Sequence, residues 1–84
     1  MSARFVVKNV YILGALLALE GEVQNGKVLE SDVGSTWENK RFNVVKIESK
    51  DGPLPSASVH DKVTLIVKNI YRNDVTPGET VYIE

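Results

Sequence analysis

Leu13-Gly14-Ala15-Leu16-Leu17-Ala18-Leu19-Glu20 is the stretch on which the fold turns. Alanine and leucine are strong helix formers, so taken alone it reads as a short helix. Three features oppose that reading. Its apolar residues show no 3.6-residue stripe, Gly14 and Gly21 flank it, and the chain runs on through Val23 into an Asn25-Gly26 turn signal. It is also far short of the roughly 20 residues that span a bilayer. Read as a strand, it is apolar on both faces, which suits a closed or nearly closed small barrel or a partner surface.

Working outward, turn signals cut the chain into segments too short for helices. Residues 4–13 are rich in Val, Tyr, Ile and Phe and predict a strand. Gln24-Asn25-Gly26-Lys27 predicts a hairpin, with Lys27-Val28-Leu29 returning. Ser35-Thr36-Trp37 predicts a short strand, residues 41–49 a longer one, and Asp51-Gly52-Pro53-Leu54-Pro55 a loop, because proline removes backbone donors. Residues 62–70 alternate as Val63, Leu65 and Val67 against Thr64 and Lys68, with Ile66 breaking the pattern. Asn73-Asp74 and Pro77-Gly78 predict turns before Val81-Tyr82-Ile83. Thirteen valines reinforce the β reading, since branched side chains fit a pleated surface. The expectation is an all-β chain: a small closed or nearly closed antiparallel barrel of about six to seven strands, one domain over residues 1–84.

Composition bounds the chemistry. With 84 residues and no cysteine, thiol nucleophiles, disulfides and Cys-based metal sites are excluded. His60 is the only histidine, so a multi-imidazole site cannot form within one chain, and a loop role beside Asp61 is expected. Phosphate-cradle, dinucleotide and nucleophile-elbow motifs are absent. Glu20/Glu22 and Glu30/Asp32 have the i,i+2 spacing that shares a strand face, but a solvated rim explains them as well as acid–base or divalent-ion chemistry does. Trp37 is expected in the core or at the barrel mouth. No catalysis, cofactor, nucleotide or membrane span is expected. The lack of a secretory apolar region makes the cytoplasm the default.

Net charge is -1, and it is unevenly placed: residues 1–39 hold three basic and five acidic side chains, residues 40–84 seven and six. Positive density concentrates in residues 40–50. On an uninterrupted strand Lys40, Lys46 and Lys50 would line one face with Phe42 between them, a basic and aromatic pattern used for phosphate contact and base stacking. Lys40, Arg41, Phe42, Lys46, Glu48 and Lys50 are therefore the candidate RNA-binding residues. A lysine-guarded strand face gives the same pattern without RNA.

Ala57-Ser58-Val59-His60-Asp61-Lys62-Val63, Val67-Lys68-Asn69-Ile70, Asp74-Val75 and Gly78-Glu79 resemble the second, β-barrel domain of elongation factor Tu and its archaeal and eukaryotic relatives. Upstream, Asn9-Val10-Tyr11, Gly21-Glu22-Val23, Gly26-Lys27-Val28-Leu29 and Ile47-Glu48 fall in the family's order, so the resemblance covers residues 5–83. Each matched glycine falls at a predicted turn. Three departures stand out: His60 and Ser31 occupy glycine positions of the family, and Leu16 replaces a strand glycine. The resemblance implies a free-standing, non-catalytic interaction module without the family's GTPase domain. Its implied partner is ribosomal RNA, tRNA or a translation-associated protein, with Glu48 aligned to a position that touches the tRNA acceptor end. The other reading is a protein-docking accessory subunit of a larger enzyme without RNA. Either way a monomer or weak dimer is expected.

Overall fold

The computed structural model describes residues 2–84, and no helix forms between Leu13 and Glu20: a tight turn at Gly14-Ala15 is followed by strand from Leu16 onward. The first strand, β1 (Ala3–Leu13), turns at Gly14-Ala15 into β2 (Leu16–Asn25), with Leu13 opposite Leu16. Gly14 at φ 61° supplies the left-handed first position that a two-residue hairpin asks for. Then come β3 (Lys27–Leu29), β4 (Val33–Ser35), β5 (Arg41–Ser49), β6 (Gly52–Leu54), β7 (Ser56–Ser58), β8 (Lys62–Lys68), a 3₁₀ turn (Arg72–Asp74) and β9 (Thr80–Ile83).

Strands run antiparallel in the order β4-β9-β1-β2-β8-β5, and β4 pairs back onto β5, which closes a six-stranded barrel. Leu17, Leu19 and Val23 of β2 point inward, with Phe5, Val7, Phe42, Val44, Ile47, Leu65, Val67, Val81 and Ile83 from the other staves. Ala18 is buried too, on the outer side, where its cross-strand neighbours are Tyr11 and Ile66. Burial on both sides explains why this segment lacks a clean period of two.

Three local expectations are corrected. Asn25-Gly26 does not close a hairpin, because both edges of β2 are taken: β1 pairs along one (Arg4 opposite Asn25) and β8 along the other (Lys62 opposite Glu22). The chain instead leaves through Gly26, and β3 pairs with β7, burying Val28 and Ala57. Pro53 lies in a short strand and not in a loop, at the outer edge of β5, where a missing N–H costs no ladder bond. Gly21 lies in mid-strand, not at a turn, opposite both Val7 and Val63.

The departures from the family pattern acquire a physical meaning here. Ser31 and His60 sit at φ 73° and 75°, the left-handed region that glycine enters without strain. A non-glycine residue there costs roughly 1–2 kcal/mol, partly offset by the smaller unfolded-state entropy of a side chain-bearing residue. Ser31→Gly and His60→Gly are each expected to stabilise the barrel by about 0.5–1 kcal/mol, a rise of roughly 2–8 °C in Tm by thermal denaturation. Asn39 and Asn69, at φ 64° and 77°, should gain less from the same change, because asparagine tolerates this region.

Candidate nucleic-acid interface

Three register shifts interrupt the ladders, and two of them, in β1 and β5, decide where the charged side chains of the groove point. In β1 the register shifts between Val7 and Asn9, so Ala3, Phe5 and Val7 face in, Lys8 is the extra residue, and Val10 faces in after it. In β5 it shifts between Val44 and Lys46, so Phe42 and Val44 face in and the next inward residue is Ile47. An inserted residue flips the face of everything beyond it.

The second bulge corrects the expected basic face. Phe42 is fully buried in the core and offers no stacking surface, while Lys46 and Glu48 lie outside. The remaining candidates divide. Lys40 and Arg41 lie where β4 turns into β5, and Lys50 follows β5 at its other end, about 30 Å of extended chain away.

Around Glu48 the registers build an outward row across four strands: Asn9 opposite Glu20, Glu20 opposite Thr64, Thr64 opposite Glu48. Asn9 Nδ2 donates to Glu20 Oε1 at 2.7 Å, and Lys46 Nζ lies 3.4 Å from Glu48 Oε2. At this row lies an open groove of about 610 Å³, lined by Lys8, Glu20, Glu48, Lys50, Lys62 and Thr64. The turn holding Lys50 is fixed by Ser49 Oγ, which donates to the Gly52 carbonyl at 2.8 Å and accepts from the Asp51 N–H at 3.2 Å. Carboxylates can accept hydrogen bonds from ribose hydroxyls or base amines, and the lysines supply charge for phosphate. Lys8, Lys62 and Thr64 escape a reading of the sequence because the groove joins distant strands and depends on a bulge. Glu20 carried a signal, its i,i+2 pairing with Glu22, and both are indeed on the outer face of β2.

The other singled-out residues fall elsewhere. Glu30 and Asp32 lie in the turn after β3, where Asp32 Oδ2 accepts the Leu29 N–H at 2.8 Å, so they do not share a strand face. Trp37 is 75% exposed and not in the core. It follows β4 in the turn to β5, and the buried residue there is Thr36, whose Oγ1 accepts the Lys40 N–H at 3.1 Å. His60 is exposed, with Nδ1 3.8 Å from Glu22 Oε2. Among the described residues no group of three His, Cys, Asp or Glu side chains is placed to hold a metal ion. No helix among them is long and apolar enough to cross a membrane.

The fold these elements define is a closed six-stranded antiparallel barrel with β6 added at the outer edge of β5. No family model and no curated protein matches the sequence. Among solved structures, it superposes on the translation factor aIF5B from Aeropyrum pernix, crystallised with GDP bound, with a TM-score of 0.87 and 14% identity. The match covers 98% of this chain and 14% of that one, so this chain spans a small fraction of that factor's length.

Proposed function

We propose that this barrel is a non-catalytic RNA-binding module of the translation apparatus, working in the cytoplasm, and that the Glu48 groove receives an RNA end. The observation that carries the reading is the position of Glu48. The residue that the elongation-factor resemblance sets at an acceptor-end contact stands in an open groove whose lining includes Lys8, Lys50 and Lys62. In that role Glu48 and Glu20 would accept hydrogen bonds from a terminal ribose or base, and the lysines would neutralise its phosphates. If three lysines each meet a phosphate of a single strand, affinity should fall about 20-fold between 50 and 200 mM salt. Filter binding of tRNA and cosedimentation with ribosomes at those salts test this. Replacing all three lysines by alanine should weaken binding and flatten the salt dependence. RNA binding that is absent at low salt, or indifferent to the three lysines, rules the reading out.

A protein-docking role has one observation in its favour. Tyr11, Ile12, Leu13 and Tyr71 are exposed together at the β1–β2 hairpin end, beside an apolar groove lined by Leu16, Leu17 and Ile70. A stable protein partner recovered after nuclease treatment, and lost on Ile12→Asp, would favour this reading over the first.

A further inference from the structure

A second surface, away from the groove, is assembled by the closure of the barrel. Arg4 of β1 lies opposite Tyr82 of β9, Tyr82 opposite Ser35 of β4, and Ser35 opposite Arg41 of β5. Val81 and Ile83 are fully buried, so Tyr82 between them must face outward. At roughly 4.8 Å per strand, the two arginines stand about 14 Å apart around the barrel with the tyrosine between them. Ser35 is small and leaves the side of Tyr82 that faces Arg41 uncrowded.

Each flank can take an anion. Among the described residues Arg4 is engaged through its Nε, which donates to Asn25 Oδ1 at 3.3 Å. Arg41 Nη2 lies 3.6 Å from Glu84 Oε2, with both side chains about two-thirds exposed, a contact of little net worth that a phosphate can replace. Trp37 lies two residues beyond Ser35. Its backbone N–H donates to Glu79 Oε2 at 2.8 Å, which ties the turn to the residue preceding β9. Asn39, left-handed, closes the same turn, with its N–H donating to the Thr36 carbonyl at 3.0 Å. An indole held on an ordered turn yet 75% exposed contributes little to the core. Beside an outward tyrosine and two arginines, it has the components of a base-stacking platform.

We propose that the outer face of β1, β9, β4 and the start of β5 binds single-stranded nucleic acid, with Tyr82 and Trp37 stacking on bases and Arg4 and Arg41 holding phosphates. Glu38, Glu79 and Glu84 are the acidic residues beside it, Glu79 with its carboxylate already engaged by the Trp37 and Thr76 backbone N–H groups, and they set the affinity as modest and salt-sensitive. This surface does not rest on the groove, and either can fail alone.

Trp37 is the only tryptophan, so its fluorescence reports on this face directly. Titration with eight-nucleotide oligo-U or oligo-dT should quench it saturably at low salt. With two phosphate contacts the log–log salt slope should be about -1.4. A blunt duplex of the same length should quench less, because its bases are not available to stack. Tyr82→Ala should weaken binding about tenfold. Arg4→Ala and Arg41→Ala should each remove roughly 0.7 from the slope, and Glu84→Gln should tighten binding. All four positions face solvent, so an unchanged thermal melt verifies that each variant is folded. Lys50→Ala and Lys62→Ala should leave the quenching as it is. The proposal is overturned if no oligonucleotide quenches Trp37, if folded Tyr82→Ala and Arg4→Ala/Arg41→Ala proteins quench like the parent, or if the groove variants abolish the signal. Protection of Trp37 by a bound protein, with oligonucleotides inert, would also overturn it.

Discussion

Gly21→Ala should cost about 3 kcal/mol or more, since an added Cβ meets a closer backbone approach here than at any other glycine of the chain. A Cβ built on Gly21 would lie 1.8 Å from the Val6 carbonyl oxygen, 2.9 Å from the Val6 carbonyl carbon and 3.0 Å from Phe5 Cε2. The first two are backbone atoms and cannot rotate aside. The β1 bulge at Lys8 lies next to this contact, so relief requires β1 to move off β2, and the ladder through Val6–Glu22 and Val7–Gly21 goes with it. A domain of this size holds roughly 4–13 kcal/mol in all. Thermal denaturation should therefore show Tm lower by about 12 °C or more. Gly14→Ala is the control: nothing lies within 4 Å of the added Cβ, and the expected loss is about 1 kcal/mol from the positive φ alone. Equal losses at the two positions would mean that the close approach at Gly21 carries no weight.

Phe42→Ala should cost about 3–5 kcal/mol, the range for emptying a buried aromatic site. The ring is fully buried and lies over Gly34 of β4, where an added Cβ would come 2.3 Å from Phe42 Cζ. Aromatic bulk on β5 and the missing side chain on β4 are thus two halves of one contact at the barrel's closure. Gly34→Ala alone should destabilise strongly, and less so in a Phe42→Leu background, because the shorter side chain leaves room for the methyl. Urea denaturation of the two single variants and the double gives the coupling, and strict additivity would refute it. One practical result concerns RNA: weakened binding by Phe42→Ala would report unfolding, whereas Arg41 and Lys46 can be changed without touching the core.

Much of the architecture was legible because burial and strand period agree over most of the chain. Residues 41–49 read as a strand and are β5, and residues 81–83 form most of β9. Between Leu13 and Glu20 the glycine flanks and the missing helical stripe exclude a helix, and the structure has none there, only the Gly14-Ala15 turn and the start of β2. What stayed hidden depends on where a distant strand lies. Asn25-Gly26 is a sound hairpin signal, overruled because β2 has no free edge. The Val44–Lys46 bulge removes Phe42 from the basic face, and no local property of Val44-Val45-Lys46 announces it. For the candidate sites the lesson is the same. Glu48 and Lys50 were found by residue type, but Lys8 and Lys62 joined them only through the barrel. For Trp37 only the core alternative fails: a lone tryptophan is usually buried, but the buried residue of the β4–β5 turn is Thr36.

The pairing of β1 with both β2 and β9 also sets a timetable for folding. Ala3 faces Ile83 and Phe5 faces Val81, so the barrel's own first strand waits for the barrel's last before its second edge is covered. During vectorial synthesis the β1–β2 hairpin can form early, but the ring cannot shut until β9 has left the ribosomal tunnel. Such long-range closure places the barrel among domains that fold in milliseconds to seconds and not in microseconds. Until then the apolar inner sides of β1 and β2 are open to solvent, and a nascent chain halted before β9 would present them to chaperones.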